Sequence, residues 1–105
     1  MKELAQFIKI LGDTNRLAII FAIGNQSLSV TEIITETGLS QTLVSFHLRA
    51  MRSARVVQTH RDGPFIFYNL TDLQLINILG DLAQIAGLDD IRPETSVSLQ
   101  IAHQR

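Results

Sequence analysis

At 105 residues the chain has the length of one small domain, near the size at which burying enough apolar surface to fold alone becomes difficult. Hydrophobic residues make up 46% and aromatics only 6%, so the core must be built from aliphatic side chains, which favours helices packed on helices. The absence of cysteine excludes disulfides, thiolate metal sites and thiol redox chemistry, and a net charge of −1 is weak evidence against a nucleic-acid partner.

The opening MKELAQFIKILG places Glu3 and Lys9 where a secretory signal needs an unbroken apolar core. The longest apolar run, Leu17 to Ile23, is too short to span a bilayer. A cytoplasmic protein with no membrane partner is expected. Leu4, Phe7, Ile8 and Leu11 recur at helical spacing and predict a first helix over 2–11, ended by Gly12. Asp13 is a good N-cap for a second helix over 14–23, whose RLAIIFAI is apolar on most sides and therefore belongs at the centre of the fold.

Ser29-Val-Thr-Glu32 matches a capping box, in which the serine and the glutamate satisfy each other's orphan backbone N–H groups. It opens a short helix to about Thr37. Gly38 can turn the chain, Leu39 can plug the corner, and Ser40 caps a further helix running to about Ala54. Helix, glycine turn, helix is the outline of a helix-turn-helix. The runs Val56 to Arg61 and Phe65 to Leu70 are rich in β-branched and aromatic residues, and Asp62-Gly63 between them signals a hairpin with Pro64 at its turn or edge. A hairpin in that position is a wing.

Thr71-Asp-Leu-Gln74 matches a second capping box and predicts a helix from Asp72 to about Ala86, closed by Gly87. Its apolar residues Leu73, Leu75, Ile76, Ile78, Leu79, Leu82 and Ile85 cover more than one face, and the first helix has the only other uncommitted stripe. The expected fold is mainly α with a small β-hairpin, a winged helix-turn-helix of order α-α-α-α-β-β-α, dimerising through the first and last helices. Residues 1–88 form the DNA-binding and dimerisation domain in this reading. Residues 89–105 form a tail, flexible or packed on the partner; in it Val97, Leu99 and Ile101 alternate with polar residues as a strand would.

The functional signal lies in the charge distribution. Between Ser40 and Arg61 there are four arginines, two histidines and no acid, whereas the chain beyond Arg61 holds six acids against two arginines. At about 100° per residue, Gln41, Thr42, Ser45, Arg49 and Arg52 share one side of the helix over 40–54, with Val44, Leu48 and Met51 opposite. Glutamine can pair with adenine, serine and threonine with base edges or phosphates, and arginine with guanine or phosphate. Phe46 stands at the edge of that row, where a ring can pack on a thymine methyl. His47 projects towards the apolar side, as a partly buried structural histidine. In the wing, His60 and Arg61 are suited to the DNA backbone or minor groove, with Asp62 working against them.

The predicted function is a homodimeric, sequence-specific transcriptional regulator, most simply a repressor, reading a double-stranded DNA operator through Gln41, Thr42, Ser45, Phe46, Arg49, Arg52, His60 and Arg61. The alternative is a winged-helix module for protein interaction, for which Phe46 is the one hint. An enzyme is not expected, since Ser45 and His47 point in different directions and no glycine-rich phosphate loop, paired carboxylates or metal cluster is present.

LGDTNRLAIIFAI, LSQTLVSFHLRAMRSARVV and THRDGPFIFYNL resemble, in order, the second-helix, helix-turn-helix and wing signatures of the ArsR/SmtB family of winged-helix transcriptional repressors. The resemblance covers roughly 4–86. It implies a dimer that occupies an operator and leaves it when an inducer, often a metal ion, binds. It also implies that Gln41, Thr42, Ser45 and the position of Phe46, a histidine in many members, are readers. Pro64 stands where the family usually has a polar or basic residue. The family's metal sites do not carry over: Val30, Thr31, Glu32 and Ile33 occupy the stretch that holds cysteines in one site, and Asp72-Leu73-Gln74 replaces the Asp-x-His of another. With His103, Asp89, Asp90 and Glu94 as the remaining donors, no metal and no cofactor are expected. Either a small organic inducer of unknown identity in an apolar dimer cavity, or no small ligand at all, is expected.

Overall fold

Asp13, Ser29 and Ser40 each accept a backbone N–H three residues ahead, from Arg16, Glu32 and Leu43 at 3.0, 3.2 and 3.1 Å, and these bonds start three of the helices. The computed structural model describes residues 1–88, in two units: Met1–Asp72, and a second that begins at Leu73. The first contains α1 (Lys2–Leu11), α2 (Thr14–Ile23), α3 (Val30–Thr37), α4 (Gln41–Ser53), β1 (Val57–Asp62) and β2 (Phe65–Leu70). The second contains α5 (Gln74–Ile85). Five helices and one antiparallel hairpin in this order are the winged helix-turn-helix expected from the sequence.

The capping box before α3 is complete, because Glu32 also accepts the Ser29 backbone N–H at 2.8 Å. The α3 helix stops at Gly38, whose φ of 72° and ψ of 6° are left-handed, and the Gly38 N–H closes on the Ile34 carbonyl at 2.8 Å. No atom crowds the place where a Cβ would stand, so the glycine is required for its backbone conformation alone.

The all-round apolar α2 lies at the centre of the first unit, against α1, α3, α4 and β2. Ile19, Ile20 and Ile23 of α2 are fully buried with Ile33 of α3, Val44, Leu48 and Met51 of α4, and Val57 and Leu70 at the base of the hairpin. Each such aliphatic side chain contributes about 1.5–3 kcal/mol of transfer free energy. This core fixes the orientation of α4.

The hairpin pairs Val57 with Leu70, His60 with Phe67, Arg61 with Ile66 and Asp62 with Phe65. Its strand limits differ by one residue from those expected: Asp62 belongs to β1, and the turn is Gly63-Pro64. Gly63 has a φ of 62°, and proline is fixed near −65°, the combination a type II′ turn needs at its two central positions. Leu28 adds a partner on the other edge of β2, donating to the Tyr68 carbonyl at 2.9 Å and accepting from its N–H at 2.7 Å. That bridge was not legible in the sequence, because one buried leucine in a loop has no period.

Helix α5 starts at Gln74, two residues later than the predicted Asp72. Its N-cap position is Leu73, with no side-chain cap hydrogen bond, so the second capping box does not form as expected. The other end follows expectation: Gly87, with a φ of 76°, and Leu88 return their N–H groups to Gln84 and Ala83 in a Schellman closure. Along α5, Leu79 and Ala83 are buried while Ile78, Leu82 and Ile85 are exposed, so apolar residues do occupy two sides of the helix. On α1, Leu4 and Ile8 are likewise exposed. The alternating Val97, Leu99 and Ile101 and the donors Asp89, Asp90, Glu94 and His103 lie outside the described residues.

Candidate nucleic-acid interface

Ser40 starts α4 directly after the Gly38 turn, and Val44, Leu48 and Met51 anchor one side of it in the core. The opposite side is thereby forced outward. Gln41, Thr42, Ser45, Arg49 and Arg52 are all exposed, on the face the helical projection assigns them. Among the described residues, none of these five side chains has a hydrogen-bond or ion-pair partner. The same holds for Arg55 and Arg61. A cluster of donors with no intramolecular partner, in a stretch from Ser40 to Arg61 that holds no acid, is equipped to bind an anionic, hydrogen-bonding surface.

Phe46 is exposed by 58%, and its ring meets the His47 ring edge-on at 5.2 Å. His47 itself is buried, as its projection suggested. Its Nδ1 accepts from Arg16 Nε at 3.1 Å, and its Nε2 stands 3.9 Å from an Asp13 carboxylate oxygen. Arg16 also donates through Nη1 to the Ile10 carbonyl in the last turn of α1, at 3.2 Å. One arginine on α2 thus ties the end of α1 to the middle of α4. The Arg16 backbone N–H bond to Asp13 holds that carboxyl below its ordinary pKa, burial opposes the shift, and the nearby His47 adds to it.

The wing separates two residues that the sequence had grouped. His60 pairs across the ladder with Phe67 and Arg61 with Ile66, so the two side chains project from opposite faces of the hairpin. Both are exposed. The His60 and Phe67 rings stack at 5.6 Å and 22°, and Phe65 follows at 6.4 Å from Phe67.

Arg55, at the joint between α4 and β1, was not among the expected site residues. It has a φ of 62°, the left-handed conformation usually given to glycine. The Arg55 and Val56 N–H groups return to Arg52 and Met51 at 3.0 and 2.8 Å, completing a Schellman closure on a non-glycine residue. The sequence signal available was its place, one residue beyond the end of a helix and just before a strand. Among the described residues no group of three or more His, Asp or Glu converges as a metal site would require, and no helix is long and apolar enough to cross a membrane.

Residues 13–59 match the model of the bacterial regulatory protein arsR family. The chain is 32% identical over 82 residues to a transcriptional repressor SmtB homolog of Synechocystis, covering 78% of this chain and 62% of that protein. It is 32% identical over 85 residues to the nodulation protein NolR of Rhizobium meliloti, covering 81% and 70%. The chain thus spans less than two thirds of the Synechocystis relative's length. Among solved structures, NolR of Sinorhizobium fredii superposes with a TM-score of 0.73 at 30% identity, over 84% of this chain and 88% of that one. The homodimeric winged helix-turn-helix DNA-binding domain of Mb0332 from Mycobacterium bovis gives 0.69 at 26% identity, over 82% and 79%. Three signatures in order, the fold they produce and these likenesses agree, and the chain belongs to the arsR family of bacterial transcriptional regulators.

Proposed function

We propose that this chain is a homodimeric repressor that occupies a DNA operator, with α4 in the major groove and the hairpin alongside it. The observation that carries the reading is the outward face of α4, where Gln41, Thr42, Ser45, Arg49 and Arg52 are exposed, unpartnered among the described residues and free of acids. Gln41, Thr42 and Ser45 lie in the first half of the helix, the part that reaches base edges in helix-turn-helix proteins. Arg49 and Arg52, one and two turns on, are suited to guanine or phosphate, and His60 and Arg61 to the backbone beside the site. Phe46 is the apolar reader of this set.

The dimer is supported by the exposed apolar residues of α1 and α5, Leu4, Ile8, Ile78, Leu82 and Ile85, and by the homodimeric state of the Mycobacterium bovis relative. Action as a repressor is supported by the relatives described as repressors. The chain works in this reading without the family's metal sites, because it has no cysteine and carries Gln74 where an Asp-x-His pair needs its histidine.

Selection of bound duplexes from a random pool tests the reading and yields the operator. Binding to the selected duplex should weaken linearly in log affinity with log salt, with a slope set by the number of phosphates neutralised. Salt-independent binding, or no selected duplex, would overturn it.

A further inference from the structure

The tip of the wing carries exposed apolar residues beside Asp62. Phe65 is exposed by 60% and Ile66 by 42%, and Pro64 beside them is exposed as well. Phe65 is also braced. It is the free end of an aromatic row on one face of the hairpin, in which Phe65 abuts Phe67 at 6.4 Å and Phe67 stacks on His60 at 5.6 Å. The Gly63-Pro64 turn adds a fixed proline ring, so little conformational freedom remains to be lost when the tip meets a surface.

We propose that this tip is a wedge for duplex DNA: Phe65, with Pro64 beside it, enters the minor groove next to the site read by α4, partly unstacks a base step and bends the duplex. The proposal rests on the DNA-binding reading above. Phenylalanine and proline are among the side chains that open base steps from the minor groove, and a ladder-braced ring can do so without first being ordered. Asp62 is the cross-strand partner of Phe65, while Arg61, paired with Ile66, projects from the opposite face of the hairpin; it has no acidic partner among the described residues and can hold a phosphate on that side of the tip. The acid-free run from Ser40 ends at Arg61, so positive charge reaches along the chain to the foot of the tip, where Asp62 follows. A two-residue turn with one prominent ring is far smaller than the roughly 800 Å² per partner of a stable protein interface, which argues against a protein as its occupant.

The test uses the full chain and its selected operator, end-labelled for energy transfer and carrying 2-aminopurine at successive steps beneath the wing. The expected result is a bend of roughly 20–90° and a rise in fluorescence at one step. Phe65→Ser should lose both and bind roughly five- to a hundredfold more weakly, with an unchanged salt slope because no phosphate contact is lost. Phe65→Leu, still an apolar wedge, should keep both signals. Circular dichroism of the two variants checks that they fold alike. A bound but straight operator, or a bend that survives Phe65→Ser, overturns the wedge and leaves the DNA-binding reading intact. A change in oligomeric mass instead of in bend overturns it in favour of a protein contact. Failure of the wild-type chain to bind any duplex overturns both.

Discussion

Arg16 and His47, 31 positions apart, are joined by a 3.1 Å hydrogen bond from Arg16 Nε to His47 Nδ1, and the same guanidinium holds the Ile10 carbonyl. The bond ties the helix that carries the candidate reading face to the end of α1. Because the acceptor is buried, its loss strands a charged donor in a poorly solvated place. His47→Leu should destabilise the chain by about 1–3 kcal/mol. His47→Gln, which retains an accepting oxygen, should cost less. Urea denaturation of the two variants measures the gap, and equal losses would show that packing alone accounts for His47.

Asp13 gives a pH dependence of definite sign. Its carboxyl pKa is lowered in the folded chain from the ordinary 3.8, chiefly by the Arg16 backbone N–H. A depressed folded pKa means that the stabilisation is present above the unfolded value and is lost as pH falls through the folded one. Asp13→Asn keeps a capping oxygen but removes the charge. The stability difference between wild type and Asp13→Asn should therefore be constant near neutrality and shrink below about pH 4. The carboxylate is 42% exposed, so the effect is small and falls with salt. Denaturant midpoints across acid pH check it.

Arg55 occupies a backbone conformation that glycine adopts at no steric cost. Arg55→Gly should raise stability by about 1 kcal/mol, while Arg55→Ala, equally strained, should not. Thermal melts of the pair separate backbone strain from loss of the side chain. A stabilised Arg55→Gly that binds its operator less well would identify Arg55 as a phosphate contact kept at the expense of stability.

On the reading face, Arg49→Ala should weaken operator binding by about 1–3 kcal/mol if Arg49 reads a base, and relax the preference at one position. Phe46→His should shift the selected sequence without abolishing binding. Repeating the duplex selection with each variant decides both, and an unchanged preference after Phe46→His removes Phe46 from the readers. Asp62→Asn should tighten binding at low salt, since it deletes a negative charge at the wing.

Replacing Ile8 or Leu82 with a charged residue should raise the monomer fraction in sedimentation experiments while preserving the helical signal, because both side chains are already exposed in the isolated chain. A monomeric wild type would remove the dimer from the proposed function.

The sequence by itself determined where the helices begin and turn. Asp13, Ser29, Ser40 and Gly38 act on backbone groups three or four residues away, and a spacing that short is visible in one dimension. It also determined which side of α4 is wet, because Val44, Leu48 and Met51 recur with the helical period. The start of α5 misled for a related reason: a four-residue match to a capping box states what could bond, not that the first turn is wound there. Only the tertiary structure decided what depends on distant parts of the chain. The Leu28 bridge to Tyr68, the Arg16 bond to His47 and the stacking of His60 on the row of Phe67 and Phe65 all require a register or a packing that the core sets once it has formed. Local hydrogen bonds are written in neighbouring residues, whereas contacts across the fold exist only after hydrophobic burial has brought those residues together.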